Sequence, residues 1–462
     1  MSALTASVSR TGASLASCKV SLRAGPSVLT VQHQQMRGYA QQKRKVPVKK
    51  TSQSFKVKGG PGGLGTGPKR ARATGIFRPM SANQLTHPIF QAGGVDGLEG
   101  MPEFQPLALP ESAGKALAFP NPENHIIQTF GVPKNLVLEW RLLSKPVSVV
   151  RDMTLDLVQK LDAASSKSSE GNRFVLGGPK GSGKSLLLLQ AVEYAAASNW
   201  LVLYIPRGID LVNSSSNYVY DLRTQSYYQP NFAFQTLQRF KIVNAKLLEG
   251  LKVHRDVEIE RHETVKGGVP LAELIEVGVQ DKTVAPTVLE AMLECLGAQT
   301  ELPVLVAVDD FQALFCKSAY RDPLYGSLRA WHLSMPRLLL EYASGRRTFA
   351  RGAFVGAISS TSNTYALTPE VRYALGFQQD LQPSPYIKVP EEVKIYTKGI
   401  KALDVPEKLS VSEAAALFEV WMKNKTLHTN PTDELFMTKY TESSGNARDF
   451  VWRGLLATLA SH

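Results

Sequence analysis

The sequence predicts an α/β protein with a parallel sheet core, a C-terminal helical lid-like domain and a disordered basic N-terminal arm. Three observations lead to this prediction. Short apolar runs of β-forming residues alternate with segments of helical periodicity, a glycine-rich loop joins one of these strands to a helix, and the first 95 residues carry no acidic side chain. Strands that alternate with helices favour a parallel sheet with its loops at the sheet edges.

The glycine loop, Gly178–Ser185, fits the phosphate-binding P-loop pattern G-x-x-x-x-G-K-[ST] at every fixed position. Residues 174–176 favour a buried strand before it, and residues 185–197 favour a helix that opens on it. A polyphosphate needs several converging N–H donors, which glycines present without a Cβ clash, and the helix N-terminus adds partial positive charge. The pattern predicts a nucleotide site formed by Gly178, Pro179, Lys180, Gly181, Ser182, Gly183, Lys184 and Ser185.

Four side chains are expected to bind the phosphates and a magnesium ion or to orient a water molecule. Lys184 should bridge the β- and γ-phosphates, and the Ser185 hydroxyl should bind Mg²⁺. An apolar strand over residues 304–308 ends in Asp309, which would hold Mg²⁺ directly or through water. Asp310 follows and is the candidate catalytic residue, since it could orient an attacking water. These residues predict nucleotide and Mg²⁺ binding, which does not by itself imply hydrolysis.

Two further groups of polar residues have more than one interpretation. After a strand over residues 354–358, Ser360, Thr361 or Asn363 could sense a γ-phosphate or form an ordinary Ser/Thr turn. Basic residues before that strand could act as an arginine finger on a neighbouring copy, contact RNA or form a solvated loop; they are Arg346, Arg347 and Arg351. A cluster of tyrosines near Arg223 could stack on bases or pack in a surface loop; it comprises Tyr218, Tyr220, Tyr227 and Tyr228.

The positive charge of the chain is concentrated at its N-terminal end. The formal charge is +13, yet fifteen of the 53 Lys and Arg lie before Asp96, the first acidic residue. Three scattered cysteines are too few for a disulfide framework or a zinc site, which indicates a reducing compartment. No apolar run is long enough for a membrane span.

The N-terminal region divides into two segments by composition. Residues 1–39 are Arg- and Ser-rich without acids, which is typical of a mitochondrial presequence, and Arg37 stands where a processing peptidase cutting between Tyr39 and Ala40 would need it. Residues 40–74 combine Lys, Arg and Gly, so they cannot bury a core and suit contact with nucleic-acid phosphates. A solvated linker is the other interpretation of that arm.

The remaining residues divide into three regions. Residues 75–135 are predicted to extend over a surface, and residues 136–390 to form the nucleotide-binding core, with a helix over residues 136–163 and an insertion at about 206–300. Residues 391–462 are predicted to form a helical lid-like domain. In it, Ser410 and Glu413 have capping-box spacing, and Arg448 could reach the nucleotide or form a structural ion pair.

Together these features resemble the death-associated protein three family, the GTP-binding proteins of the mitochondrial ribosomal small subunit. The resemblance is carried by Gly178–Ser185, by Tyr204-Ile-Pro206, by Asn231–Leu237, by Val308-Asp-Asp310 and by Gly445-Asn-Ala-Arg448. It extends from about Asn124 to the C-terminus. It implies a P-loop NTPase core of the AAA+ or STAND type.

The resemblance also implies a function. It implies a structural protein of the mitochondrial matrix that contacts small-subunit rRNA and neighbouring ribosomal proteins, without forming a homo-oligomer, and that binds GTP or GDP with Mg²⁺. The chain has no N-K-x-D motif for guanine, so ATP stays an alternative, and many AAA+ ATPases have Glu where Asp310 stands. We therefore expect little or no turnover, at most that of a slow GTPase. The alternative is a mitochondrial AAA+-type ATPase that remodels nucleic acid or protein.

Overall fold

A five-stranded parallel sheet confirms the predicted α/β class. The computed structural model describes residues 98, 100–120, 126–143, 145–260, 262–377, 388–424 and 431–457, all within the compact unit 70–462. The described strands are β1 (Ala116–Ala118), β2 (Val147–Val149), β3 (Arg173–Gly177), β4 (Leu201–Ile205), β5 (Val219–Asp221), β6 (Ser226–Tyr228), β7 (Val304–Val308), β8 (Lys317–Arg321), β9 (Ser327–Arg329), β10 (Gly352–Ala357) and β11 (Lys401–Asp404). The sheet has the order β11-β3-β10-β7-β4, and three antiparallel pairs lie outside it: the β5–β6 and β8–β9 hairpins, and β1–β2, whose strands are separated in the chain by α1 and α2.

The central strands are apolar because helices cover both faces of the sheet. Every residue of β3, β4, β7 and β10 is buried. The described helices are α1 (Ile126–Thr129), α2 (Lys134–Leu143), α3 (Asp152–Ala164), α4 (Lys184–Ala197), α5 (Pro230–Val243), α6 (Ala245–Leu248), α7 (Leu271–Gln280), α8 (Ala285–Ala298), α9 (Ser334–Ala343), α10 (Pro369–Ala374), α11 (Glu391–Thr397), α12 (Val411–Lys423), α13 (Asp433–Glu442) and α14 (Ala447–Asp449).

Two hydrophobic clusters lie on opposite faces of the sheet. Within β3, Val175 belongs to one cluster, whereas its neighbours Phe174 and Leu176 belong to the other, since successive strand residues point to opposite faces. The first cluster holds α5, α7, α8 and α9, the first three of which lie in the region predicted as an insertion. The second holds α2, α3, α4 and the C-terminal helices. This layered packing leaves the carboxyl edge of the sheet available for a site.

The predicted single helix over residues 136–163 is wrong. The structure places β2 between α2 and α3, and β2 pairs antiparallel with β1. Pro146 explains the break, because proline lacks an N–H and disfavours helical geometry in the residue before it. The apolar spacing that suggested one helix belongs to two helices and a strand.

The chain on either side of the predicted core contributes more to it than the sequence indicated. Phe104, Leu109, Leu117 and Phe130 are almost completely buried, so the segment before α2 does not simply extend over a surface. Strand β11 pairs in parallel with β3, although it comes from the region predicted to be a helical lid.

The C-terminal helices begin where the sequence indicated. The Ser410 hydroxyl accepts a hydrogen bond from the Glu413 N–H, and the Glu413 carboxylate accepts one from the Ser410 N–H, which confirms the capping box. The last described helix is α14, which is followed by a wider π-helical turn over residues 450–455. The predicted presequence and basic arm, residues 1–39 and 40–74, lie outside the described residues.

Candidate nucleotide site

The site lies at the carboxyl edge of the sheet, where three neighbouring strands end. Strand β3 leads into the glycine loop, β7 into Asp309 and β10 into the polar segment that starts after Ile358. The Ser185 hydroxyl donates a hydrogen bond to the Asp309 carboxylate, so the two predicted Mg²⁺ ligands, 124 residues apart in the chain, meet. An oxygen pair of this kind is what Mg²⁺ takes from a protein when phosphate and water complete its shell.

The glycine loop has the backbone conformation that its sequence predicted. Gly178, Gly181 and Gly183 have φ values of 129°, 86° and 90°, a region that disfavours residues with a Cβ. A Cβ at Gly178 would lie 2.6 Å from the Val405 carbonyl oxygen. Within the described residues, no protein acceptor takes the backbone N–H groups of Gly181, Gly183, Lys184 or Ser185. These donors at the start of α4 therefore suit an anion.

Lys184 is held inside the loop by oxygen atoms of the loop itself. Its ammonium group donates to the carbonyls of Gly178 and Pro179 at 2.9 and 2.6 Å, and to the Ser182 hydroxyl at 3.3 Å. Burial lowers the pKa of Lys184 to about 8, and the nearby Asp309 carboxylate opposes that shift. A phosphate oxygen carries negative charge and would bind the ammonium group more strongly than these neutral acceptors do.

The two aspartates after β7 have different surroundings. Burial raises the pKa of Asp309 to about 8, and the neighbouring Asp310 raises it further, while Ser185 and Lys184 oppose the shift. Asp310 has a left-handed backbone with a φ of 55°, and its own N–H donates to Asp309 at 2.9 Å. Burial also raises the pKa of Asp310, whose carboxylate accepts from Ser359 and lies near Arg207. Asp309 is therefore the carboxylate beside Ser185, and Asp310 is turned toward Ser359.

Arg151 is a site residue that the sequence analysis missed. Its guanidinium donates to the Ser182 carbonyl at 2.7 Å, pairs with Glu413 at 3.3 Å and donates to the carbonyls of Pro406 and Lys408. It thereby joins the start of α3, the glycine loop and the start of α12. No local motif marks this arginine, because its partners are up to 262 residues away.

The turn at Asn446–Arg448 rests directly on the glycine loop. The Asn446 amide donates to the Lys180 carbonyl at 2.9 Å, and the Arg448 N–H donates to the Gly181 carbonyl at 3.2 Å. Asn446 also caps α14, since its side-chain oxygen accepts from the N–H groups of Arg448 and Asp449. The contact uses loop carbonyls and leaves the loop N–H donors unoccupied.

A cavity of about 190 Å³ extends from the glycine loop between α2, α12 and α14. Its apolar wall comprises Leu136, Trp140, Leu143, Leu417, Trp421 and Val451. Polar side chains also face it, and most of them are engaged: Arg151 as described, and Gln190 with Thr154, Ser148 and the Val149 carbonyl. An apolar space next to a glycine loop has the chemical character of a nucleoside site.

Residues 148–452 match the protein family described as mitochondrial ribosomal death-associated protein 3. This match covers more than half of the chain and includes the glycine loop, Asp309 and the Asn446–Arg448 turn. The chain belongs to this family. The comparison thus confirms the family that the sequence motifs indicated.

Proteins similar to this chain include small ribosomal subunit proteins mS29 of three organisms. The chain is 26% identical to that of Neurospora crassa over 334 residues, which cover 69% of this chain and 70% of the relative. It is 26% identical to that of Schizosaccharomyces pombe over 345 residues, covering 74% and 71% of the two chains. The protein of Bos taurus is 30% identical over 201 residues, which cover 41% of this chain and 49% of the relative.

The other polar residues singled out in the sequence lie in different environments. Ser360 and Thr361 line the cavity, whereas Asn363 is not among its lining residues. Arg347 forms ion pairs with three carboxylates, those of Glu290, Glu294 and Glu341. The guanidinium of Arg346 lies over the Tyr396 ring, and that of Arg351 donates to the carbonyls of Ser165, Thr300 and Glu301. These arginines stabilise their own domain.

The predicted tyrosine cluster packs in part against itself. The ring centroids of Tyr218 and Tyr227 are 5.3 Å apart in an edge contact, and those of Tyr220 and Tyr227 are 4.9 Å apart. Tyr218 also contacts Tyr320.

Within the described ranges, no cluster of three or more His, Cys, Asp or Glu is arranged to hold a metal ion. Among the same residues, no helix is both long and apolar enough to cross a bilayer.

Proposed function

We propose that this protein is a structural component of the small subunit of the mitochondrial ribosome, located in the matrix, and that it binds a guanine nucleotide with Mg²⁺. The family match over residues 148–452 carries the ribosomal part of the proposal, because the relatives named above are small ribosomal subunit proteins. The predicted presequence at residues 1–39 supports the location.

The geometry of the glycine loop supports the nucleotide part. Free N–H donors at the start of α4 and the buried Lys184 would hold the phosphates, and Ser185 with Asp309 would hold Mg²⁺. The cation would offset the negative charge of the buried Asp309 carboxylate. We assign the core to the P-loop NTPase fold and α12–α14 to its lid. In this proposal the bound nucleotide contacts both parts and holds the lid against the core.

We expect little or no hydrolysis at this site. The Asp310 carboxylate accepts from Ser359 and lies near Arg207, which favours a structural role over activation of water. The alternative, a remodelling ATPase, needs an arginine finger acting across an oligomer. The three ion pairs of Arg347 and the ring contact of Arg346 argue against either as that finger.

Sedimentation of a mitochondrial lysate on sucrose gradients tests the ribosomal role. We expect the protein to co-migrate with the small subunit, including after EDTA separates the subunits, and to carry stoichiometric guanine nucleotide. Migration as a free oligomer with adenine nucleotide would favour the ATPase instead. Lys184→Ala should empty the site and lower the melting temperature, because a ligand far above its Kd stabilises a protein by several kcal/mol.

The β8–β9 hairpin supports a contact with rRNA. Lys317, Arg321 and Arg329 are exposed on its outward face, and Leu324 and Tyr325 are 89% and 85% exposed at its turn. Within the described residues, neither Lys317 nor Arg321 belongs to an ion pair. Cations beside an exposed aromatic ring suit phosphates and an unstacked base. The predicted arm at residues 40–74 would add further phosphate contacts.

Charge reversal tests the hairpin contact. The pair K317E and R321E should weaken association with the small subunit and flatten its dependence on salt, because each lost phosphate contact lowers the salt slope by about one unit. The matched control is K246E with K266E, which reverses two exposed lysines elsewhere that belong to no ion pair within the described residues. Equal effects of the two pairs would remove the hairpin from the RNA contact.

A further inference from the structure

Glu139 is an acidic side chain placed inside a largely apolar cavity. It lies on α2, faces the same cavity as the glycine loop, and precedes the residues that match the family. Its neighbours in the wall include Leu136, Trp140 and Leu143. A carboxylate in such surroundings is costly unless it has hydrogen-bond donors, so its position calls for a ligand or a structural partner.

One structural partner is present, and it orients the carboxyl group. The indole N–H of Trp452 donates to Glu139 Oε1 at 2.6 Å. Within the described residues, no donor reaches Oε2, and Arg448 is the charged group close enough to favour the ionised form. Burial nevertheless raises the pKa of Glu139 to about 7. The carboxyl group is therefore oriented by Trp452, and its second oxygen is an acceptor without a protein donor among the described residues.

Two other polar side chains that line this cavity already have protein partners. Gln190 donates to Ser148 and to the Val149 carbonyl while its oxygen accepts from Thr154. Arg151 is engaged by the glycine loop and by Glu413. Glu139 thus stands out as an acceptor free to read the edge of a base whose phosphates lie on the glycine loop.

We propose that Glu139 selects guanine by accepting hydrogen bonds from the N1–H and the N2 amino group of the base. This inference rests on the proposed nucleotide binding and adds the residue that determines base identity. An ionised carboxylate only accepts, whereas adenine presents an acceptor at N1, so adenine would leave one buried carboxylate oxygen unpaired. The Trp452 bond fixes the orientation of the carboxylate, which makes Trp452 a positioning residue.

The test compares the affinities of four diphosphates for the full chain with Mg²⁺, measured by displacement of a fluorescent GDP analogue. Wild-type protein should bind GDP about 10- to 100-fold more tightly than ADP, the discrimination expected of a bidentate base contact. IDP lacks the N2 amino group and should fall between them. XDP carries an oxygen at C2, which the carboxylate would repel, and should bind weakly.

The decisive variant is Glu139→Gln, because its amide oxygen can still accept from Trp452 while its NH₂ group can donate to the C2 oxygen of xanthine. It should lose GDP affinity and gain XDP affinity, reversing that preference by at least about tenfold. A gain of affinity cannot come from misfolding. The matched control is Glu419→Gln, an exposed acid on α12 paired with Lys423, which should leave all four affinities unchanged.

The outcomes separate this inference from the proposed function. If wild-type protein binds none of the four nucleotides, both are overturned. If it binds GDP and ADP equally, or if Glu139→Gln keeps the wild-type ratio of GDP to XDP, nucleotide binding stands and the role of Glu139 is refuted. Tight GDP binding with a reversed preference in the variant supports both.

Discussion

Gly181→Ala should separate the C-terminal turn from the glycine loop. Gly181 has a φ of 86°, and a Cβ there would lie 2.3 Å from Asn446 Oδ1 and 2.9 Å from Arg448 Cβ. The Asn446 oxygen cannot simply move aside, because it caps the N–H groups of Arg448 and Asp449. The whole turn must therefore shift, together with the helices that follow it.

The magnitude follows from what the substitution breaks. A non-glycine residue in the left-handed region costs about 1–2 kcal/mol. The bonds from Asn446 to the Lys180 carbonyl and from Arg448 to the Gly181 carbonyl contribute about 1 kcal/mol each. The free energy of unfolding should therefore fall by about 3–4 kcal/mol. Gly268→Ala is the matched control, since its φ is 92° and no atom lies within 4 Å of the added Cβ, so it should lose only the backbone part.

Two measurements on nucleotide-free protein check this prediction. Urea unfolding should show a loss about 2 kcal/mol larger for Gly181→Ala than for Gly268→Ala. Hydrogen exchange should accelerate over residues 446–457 in Gly181→Ala alone. If both variants lose the same free energy and exchange in that segment is unchanged, the turn does not depend on the glycine loop and the reasoning is refuted.

Three further predictions concern charged side chains. Arg151→Met should lower the free energy of unfolding in urea by about 3 kcal/mol, since it leaves the Ser182 carbonyl and buried Glu413 without their partner. Arg151→Lys should recover only part of this loss, because lysine lacks the planar, multiple-donor guanidinium group. Arg347→Met should cost about 1–2 kcal/mol yet leave GDP affinity within about twofold; a large loss of affinity would restore its candidacy as an arginine finger. Glu139→Gln should raise the stability of nucleotide-free protein at pH 8 but not at pH 4.5. The pKa of Glu139 in the folded protein, about 7, exceeds the ordinary 4.5, so the folded state binds more protons than the unfolded state between these pH values. The wild-type carboxyl group therefore lowers the free energy of unfolding as pH rises through that window, by up to about 3 kcal/mol. Equal Glu139→Gln effects at both pH values would contradict the assigned burial.

Elements encoded by neighbouring residues could be predicted from the sequence. The strand, glycine loop and helix from Arg173 to Ala197 follow from local preferences, as do the buried strand before Asp309 and the capping box at Ser410. Local preference misled at residues 136–163, where apolar spacing suited one helix and the pairing of β2 with β1 decided otherwise. It also missed β11, whose exposed edge position gives it a weak apolar pattern.

The sequence by itself determined the glycine loop and the residues expected to bind a metal, because a glycine loop and a strand-end aspartate are short local patterns with specific chemistry. Only the tertiary structure decided what surrounds the loop. Arg151 meets Glu413 across 262 residues, Asn446 meets Lys180 across 266, and Trp452 meets Glu139 across 313. Such pairs leave no periodic or spaced signal in a single sequence, since only the packing of the C-terminal segment against the rest of the fold brings them within hydrogen-bond distance.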